Sequence, residues 1–226
     1  MKPSQALMFA AAASLLVMSH TSARGAVEAA DGDMGALDAE TLTDSLQTMF
    51  NRITEQPAGV DNDTATRNLA AALDVIKMAE GTDRGADPYR VCFGFAHTIA
   101  DLSEHPAITG EWRGATLSDA MCANAGFGPG CKSTAAGAYQ LIKPTWARCR
   151  DALGLADFGP TSQDAAAIYL IQQRGALQDV YAGRVQAWVS KCRAEWASLP
   201  GNYAKQGQRS MATLVAWFQQ RGGITA

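Results

Sequence analysis

One acidic residue of the sequence, Glu80, has the surroundings that a general acid requires. It continues a stripe of apolar residues at helical spacing, formed by Leu69, Leu73 and Ile76. Gly81 follows at once and predicts the end of that helix, where the helix dipole disfavours negative charge. Partial burial and the dipole both favour the protonated carboxyl, so the spacing predicts a raised pKa for Glu80. On periodicity alone, an inert, solvated glutamate is the more common situation at such a position.

A carboxylic acid that stays protonated near neutral pH can donate a proton to the leaving oxygen of a glycosidic bond. Glycosidases usually pair such an acid with a second carboxylate. The nearby acids are Asp83 and Asp87. In one large class of such enzymes the second acid stands at a fixed distance along the chain from the first, and here that position is occupied by Tyr89. The missing partner favours a mechanism in which one carboxyl acts alone. That carboxyl protonates the leaving oxygen and then removes a proton from the sugar's own 6-hydroxyl, which yields a 1,6-anhydro sugar.

A second candidate segment runs from Ser133 to Leu141 and is rich in small residues. Small residues allow a backbone to approach a sugar closely. Tyr139 offers a ring for packing, and Gln140 offers an amide for hydrogen bonding. On composition alone, an ordinary loop leading into a helix is the more common situation for such a segment.

Other chemistries find little support in the sequence. The chain has three histidines, and neither His97 nor His105 has a companion at metal-ligand spacing. It contains no Gly-x-Ser-x-Gly elbow, phosphate loop or dinucleotide fingerprint. We therefore expect no metal and no cofactor.

The elements that must position these residues are mainly helical. Thr64 or Thr66 is the predicted cap of the helix that carries Glu80, Thr161–Asp164 resembles a capping box, and Ser210 is a cap for the last helix. Residues 82–138 are Gly-rich and irregular, with a small sheet expected. The fold class is mainly α (α+β), with a helical lobe and a small Gly-rich β/loop lobe. The helices are expected at 67–80, 144–153, 161 to about 174, 184–199 and 211–220.

The N-terminus has the pattern of an export signal over residues 1–23. Lys2 precedes the apolar run Ala6–Met18, and Thr21-Ser22-Ala23 offers a cleavage site. A buried N-terminal helix and an uncleaved signal-anchor are the alternatives. We expect an exported protein, periplasmic or secreted, that meets the membrane only through this signal.

Charge divides the rest of the chain. Residues 24–66, a predicted acidic arm with one short helix at 38–53, carry two Arg and nine acids, whereas residues 67–226 carry 16 Lys or Arg and 13 acids. The mildly basic domain, 67–226, suits an anionic polymer and is far too weakly basic for a nucleic-acid binder.

Five cysteines follow the predicted signal. Cys122 and Cys131 flank a short Gly-rich and Ala-rich loop and are a candidate disulfide. Cys149 and Cys192 are a second candidate pair, which leaves Cys92 over. Buried free thiols are the alternative.

Five segments of the chain, in order, resemble the bacteriophage lambda endolysin family of lytic transglycosylases over residues 67–224. They are Ala79–Asp83, Lys132–Leu141, Phe158–Asp164, Arg174–Leu177 and Trp196–Gly201.

The resemblance implies a lysozyme-like fold and cleavage of the β-1,4 bond between N-acetylmuramic acid and N-acetylglucosamine. It places Glu80 at the catalytic position and assigns Ser133, Tyr139, Gln140 and Tyr203 to the substrate groove. The implied partner is the glycan strand of peptidoglycan, bound by a monomer. A hydrolytic lysozyme that uses the same Glu80 and a non-catalytic glycan-binding module are the alternatives.

The chain departs from the family pattern at several points. The stretch from about 106 to 132 is longer and carries two cysteines, Ala138 replaces an arginine, and the export signal is additional.

Overall fold

The computed structural model of the chain describes residues 59–202 and 208–226. The predicted signal, the helix expected at 38–53 and Tyr203 lie outside these ranges. The described residues form two compact units, of which 117–131 is one and the remainder is the other. Within both ranges, no helix has the length and apolar character needed to cross a bilayer.

Helices dominate the described residues, and a two-stranded antiparallel sheet accompanies them, which confirms the predicted α+β class. The sheet pairs β1 (Ala115–Thr116) with β2 (Lys132–Ser133). Short 3₁₀ turns occupy Thr82–Arg84, Pro88–Arg90 and Phe93–Phe95. The α-helices are α1 (Asn62–Glu80), α2 (Pro106–Thr109), α3 (Asp119–Asn124), α4 (Lys143–Leu153), α5 (Pro160–Gln173), α6 (Leu177–Tyr181), α7 (Val185–Cys192) and α8 (Met211–Gln220).

Helix α1 begins earlier than predicted and ends where predicted. The side chain of Asp61 accepts a hydrogen bond from the backbone N–H of Thr64, so Asp61 is the N-cap and Thr64 and Thr66 lie inside the helix. The last residues of the predicted acidic arm, from residue 62 onward, are therefore helical. Gly81 ends the helix with φ 76°, a left-handed conformation that glycine adopts without strain.

The apolar face of α1 is buried, and Asn68 fixes its position. The Asn68 amide donates to the carbonyl oxygens of Tyr181 (2.8 Å) and Ile224 (3.1 Å). Its carbonyl oxygen accepts from the backbone N–H of Ile224 at 2.7 Å. The helix that carries Glu80 is thereby joined to α6 and to the residues after α8.

Two helix predictions need correction. Helix α5 begins at Pro160 with no side-chain cap, because the residue at the cap is Gly159. Asp164, which was expected to close the capping box, accepts hydrogen bonds from the hydroxyls of Tyr89 and Tyr139 instead. Helix α7 ends at Cys192 and does not continue to residue 199. The Asn202 side chain donates to the carbonyl oxygens of Arg193 and Trp196, which a longer helix would need for its own hydrogen bonds.

Cys122 and Cys131 form a disulfide within the unit 117–131, as the sequence suggested. Cys92, Cys149 and Cys192 are free and buried, so the suggested pairing of Cys149 with Cys192 is wrong. Burial raises the pKa of each of these three thiols to about 12.

Candidate active site

Glu80 stands at the last position of α1, where its carboxyl is surrounded by protein although part of the residue reaches solvent. The hydroxyl of Ser198 donates to Oε1 of Glu80 at 2.6 Å. Burial raises the pKa of Glu80, while the hydrogen bonds from Ser198 and the positive charge of Arg209 lower it. Burial prevails, so the pKa is raised as the helix spacing predicted.

Ser198 is held in place from two sides. The indole N–H of Trp196 donates to the carbonyl oxygen of Tyr139 at 3.1 Å. The backbone N–H of Arg209 donates to the carbonyl oxygen of Ser198 at 2.9 Å. Ser198 itself is buried, so its hydroxyl has little freedom to turn away from Glu80.

Thr82 connects the end of α1 to the candidate loop 133–141. Its side chain is buried, and its hydroxyl lies 2.7 Å from the carbonyl oxygen of Ala138, to which it donates. The end of α1 is therefore fixed to two different parts of the chain, to Ser198 through Glu80 and to Ala138 through Thr82.

A buried amide, Gln163 of α5, shapes the same loop. Its Oε1 accepts from the backbone N–H of Ala138 at 2.8 Å, and its Nε2 donates to the carbonyl oxygens of Tyr89 and Phe158. A Cβ at Gly137 would lie 2.1 Å from that Oε1, and Gly137 has φ 76°, so both the space and the backbone require glycine. The capping-box pattern predicts Gln163 only as part of a helix start and does not indicate this role.

Tyr139 does not lie where a sugar-packing ring must lie. The residue is only 1% exposed, and its hydroxyl donates to Asp164 at 2.6 Å. The prediction that its ring packs against a sugar is therefore not supported by the geometry. Tyr139 contributes instead through its carbonyl oxygen, which receives the indole N–H of Trp196.

Gln140 and Ser133 are both partly buried and differ in their surroundings. Gln140 has φ 48°, unusual for a residue other than glycine, and its amide donates to the carbonyl oxygens of Val91 and Gly137. The donors expected to serve a ligand are thus engaged by backbone. Ser133 lies on β2, where its hydroxyl accepts from the N–H of Ala135 at 3.3 Å.

Tyr89 has a structural partner rather than a catalytic one. Its hydroxyl donates to Asp164 at 2.9 Å, and Asp164 also accepts from Tyr139. Burial raises the pKa of Asp164, although both hydroxyls and Lys77 lower it. Asp164 is thus a partly buried carboxyl held by two phenols.

The remaining acids and histidines of this region also have local partners or face solvent. Asp83 and Asp87 are exposed, and Asp87 accepts from the N–H of Tyr89. His97 pairs with Glu111 at 2.7 Å, and His105 bonds the carbonyl oxygen of Leu141. Within 59–202 and 208–226, no cluster of three or more acidic, histidine or cysteine side chains is placed to hold a metal.

The sequence profile of the family described as Endolysin matches residues 70–225. The endolysin of Escherichia phage P2 is 38% identical over 160 residues, which cover 71% of this chain and 96% of the phage protein. The endolysin of Escherichia phage lambda is 37% identical over 158 residues, covering 68% of this chain and 90% of the phage protein.

Solved structures of related proteins share the fold of this chain. A structure of bacteriophage lambda lysozyme complexed with a chitohexasaccharide superposes with a TM-score of 0.59 at 34% identity, covering 71% of this chain and 97% of the other. A second structure of lysozyme from bacteriophage lambda gives a TM-score of 0.58. The lysozyme-like fold expected from the sequence is confirmed.

Proposed function

This chain belongs to the endolysin family, and we propose that it is a lytic transglycosylase in which Glu80 serves first as acid and then as base. Membership of the family makes it an enzyme that cleaves glycosidic bonds of peptidoglycan. The finer proposal concerns how the bond is broken and what product is released.

The observation that carries this proposal is the set of groups acting on Glu80. Among the described residues, these groups are the hydroxyl and backbone of Ser198 and the positive charge of Arg209, and no carboxylate is among them. A two-carboxylate mechanism requires a second acid close to the bond. The nearest acids along the chain, Asp83 and Asp87, face solvent.

The proposed reaction has two proton transfers. Protonated Glu80 gives its proton to the oxygen that leaves N-acetylmuramic acid, and the bond between C1 and that oxygen breaks. The 6-hydroxyl oxygen of the same sugar then bonds to C1, and its proton passes to the Glu80 carboxylate. The enzyme returns to its starting protonation state, and no water is consumed. A raised pKa suits both halves, because Glu80 must hold a proton at the start and accept one at the end.

We propose glycan strands of peptidoglycan as the bound polymer, with the strand passing over the exposed part of Glu80. Lambda lysozyme, which is 34% identical, is known in complex with a chitohexasaccharide, a chain of linked sugars. The net charge of +3 on residues 67–226 adds a weak attraction to an anionic wall.

The test is product analysis on purified peptidoglycan digested in isotope-labelled water. A transglycosylase gives 1,6-anhydro-muramyl ends without label, whereas a hydrolase gives reducing ends that carry the label. We expect unlabelled anhydro ends from the wild type and almost no release from Glu80→Gln. Labelled reducing ends would instead assign the enzyme as a hydrolytic lysozyme. Equal clearing of cell walls by both proteins would favour a glycan-binding module without catalysis.

Export to the periplasm or beyond is also part of the proposal. Its support is the N-terminal pattern of Lys2, an apolar run and a small-residue cleavage site, which brings the enzyme to its substrate without a separate release system. Sequencing the N-terminus of the protein from fractionated cells tests it. A start near residue 24 in the exported fraction is expected, and an intact Met1 in the cytoplasm contradicts it.

A further inference from the structure

Arg209 lies just before α8 and is fixed to the segment that carries Ser198. Its backbone N–H donates to the carbonyl oxygen of Ser198 at 2.9 Å. Its guanidinium lies over the ring of Trp217, 5.8 Å from the ring centroid. Backbone and side chain are thus held by separate contacts, which limits where the charge can move.

The guanidinium has no neutralising partner in the described part of the chain. Its Nε is buried without a hydrogen-bond acceptor, and none of the ion pairs formed by described residues includes Arg209. A buried donor without a partner is unfavourable and calls for a functional or structural reason. Glu80 supplies such a reason: Arg209 is hydrogen-bonded to Ser198, whose hydroxyl donates to Glu80, and its positive charge lowers the pKa of that carboxyl.

We propose that Arg209 is a positioning residue of the active site that stabilises the ionised Glu80 carboxylate formed once the proton has been given to the leaving oxygen. The inference rests on the proposed function, because it needs Glu80 to alternate between protonated and ionised forms. Arg209 has not been assigned a role by motif or by spacing.

The separation between the two groups fits this role. A direct ion pair would favour the ionised carboxylate from the start and leave no proton to donate. No ion pair among the described residues joins Arg209 to Glu80, and burial keeps the pKa of Glu80 raised. A positive charge that is not paired with the acid allows Glu80 to be protonated at rest and limits the free-energy increase when it ionises.

Two properties are measured in Arg209→Met and Arg209→Lys. The first is the pKa of Glu80, followed by carbon NMR of labelled glutamate carboxyls and identified by the signal missing from Glu80→Gln. The second is the pH profile of kcat/KM on peptidoglycan, with kcat taken at the optimum. Arg221→Met is the matched control, because Arg221 is exposed and its loss removes the same charge.

We expect Arg209→Met to raise the Glu80 pKa and the alkaline limb of kcat/KM by about half a pH unit or more, and to lower kcat about tenfold. Arg209→Lys should keep both close to wild type, and Arg221→Met should change neither. If the Met variant does not fold, Arg209→Gln is measured in its place.

An unchanged Glu80 pKa in the neutral variants overturns the proposal, and so does a kcat loss of equal size in the Lys variant. The NMR measurement is independent of the product formed. If labelled reducing ends replace anhydro ends while the pKa shift is observed, the transglycosylase proposal fails and the role of Arg209 stands.

Discussion

The hydroxyl of Ser198 lies 2.6 Å from Oε1 of Glu80, although 118 positions separate the two residues in the chain. The acid on α1 therefore depends on a turn that follows α7. Ser198 can donate to the ionised carboxylate and accept from the protonated carboxyl, so one hydroxyl serves both forms of Glu80.

Ser198→Ala should raise the pKa of Glu80 further, because the hydrogen bond that favours the ionised form is lost while burial remains. We expect the alkaline limb of kcat/KM to move to higher pH and kcat to fall about tenfold. Ser198→Thr keeps the hydroxyl and serves as the control. A pH profile that coincides with that of the wild type would show that Ser198 does not act on the proton of Glu80.

Glu80→Gln should lower activity by about a hundredfold or more, since the variant has no proton to give. The same change should increase stability at neutral pH. The folded carboxyl, with its raised pKa, keeps its proton when the unfolded one ionises near pH 4.5, so the wild type loses stability as pH rises from that value to the folded pKa.

Thermal unfolding at a series of pH values checks this second effect. The Tm of Glu80→Gln is expected to match that of the wild type below pH 4.5 and to exceed it increasingly above. A constant difference at all pH values would argue against a desolvated carboxyl at position 80.

Tyr139→Phe should cost stability rather than substrate affinity. The change removes one of two phenol donors from the partly buried Asp164, at a cost of about 1–3 kcal/mol in the free energy of unfolding. Denaturant unfolding and KM on peptidoglycan are the two measurements, with Tyr89→Phe as the matched variant at the other phenol. A large rise in KM with unchanged stability would instead support a role for Tyr139 in binding the substrate.

The thiols offer a direct check on the disulfide pattern. Titration with a thiol reagent should find three free thiols in denaturant without reductant and five after reduction. In the native protein the reaction should be slow, because the free thiols are buried and burial raises their pKa to about 12. A count of one in denaturant would mean that two of the three cysteines Cys92, Cys149 and Cys192 are paired, which contradicts the structure.

Local features of this site could be predicted from the sequence. The spacing of Leu69, Leu73, Ile76 and Glu80 placed the acid on a buried face, and Gly81 marked the end of the helix, because helical periodicity and left-handed caps are properties of neighbouring residues.

Contacts between distant segments could not be predicted in the same way. Ser198 lies in one of the segments shared with the family, but the motif does not indicate that its hydroxyl approaches Glu80. Arg209 lies in no motif. Tyr139 lies in a shared motif, yet its side chain is buried and does not face a ligand. A motif identifies the segment, whereas the direction of each side chain depends on the backbone angles, here the positive φ of Gly137 and Gln140.

The contacts of Asn68 also bear on the order in which the enzyme becomes active. This fully buried amide is satisfied by carbonyl and N–H groups at residues 181 and 224, and the second lies 156 positions along the chain. While a ribosome is still making the chain, α1 has no such anchor, and Ser198 and Arg209 also emerge late. Glu80 therefore gains the full set of contacts described above only after residue 224 has been synthesised.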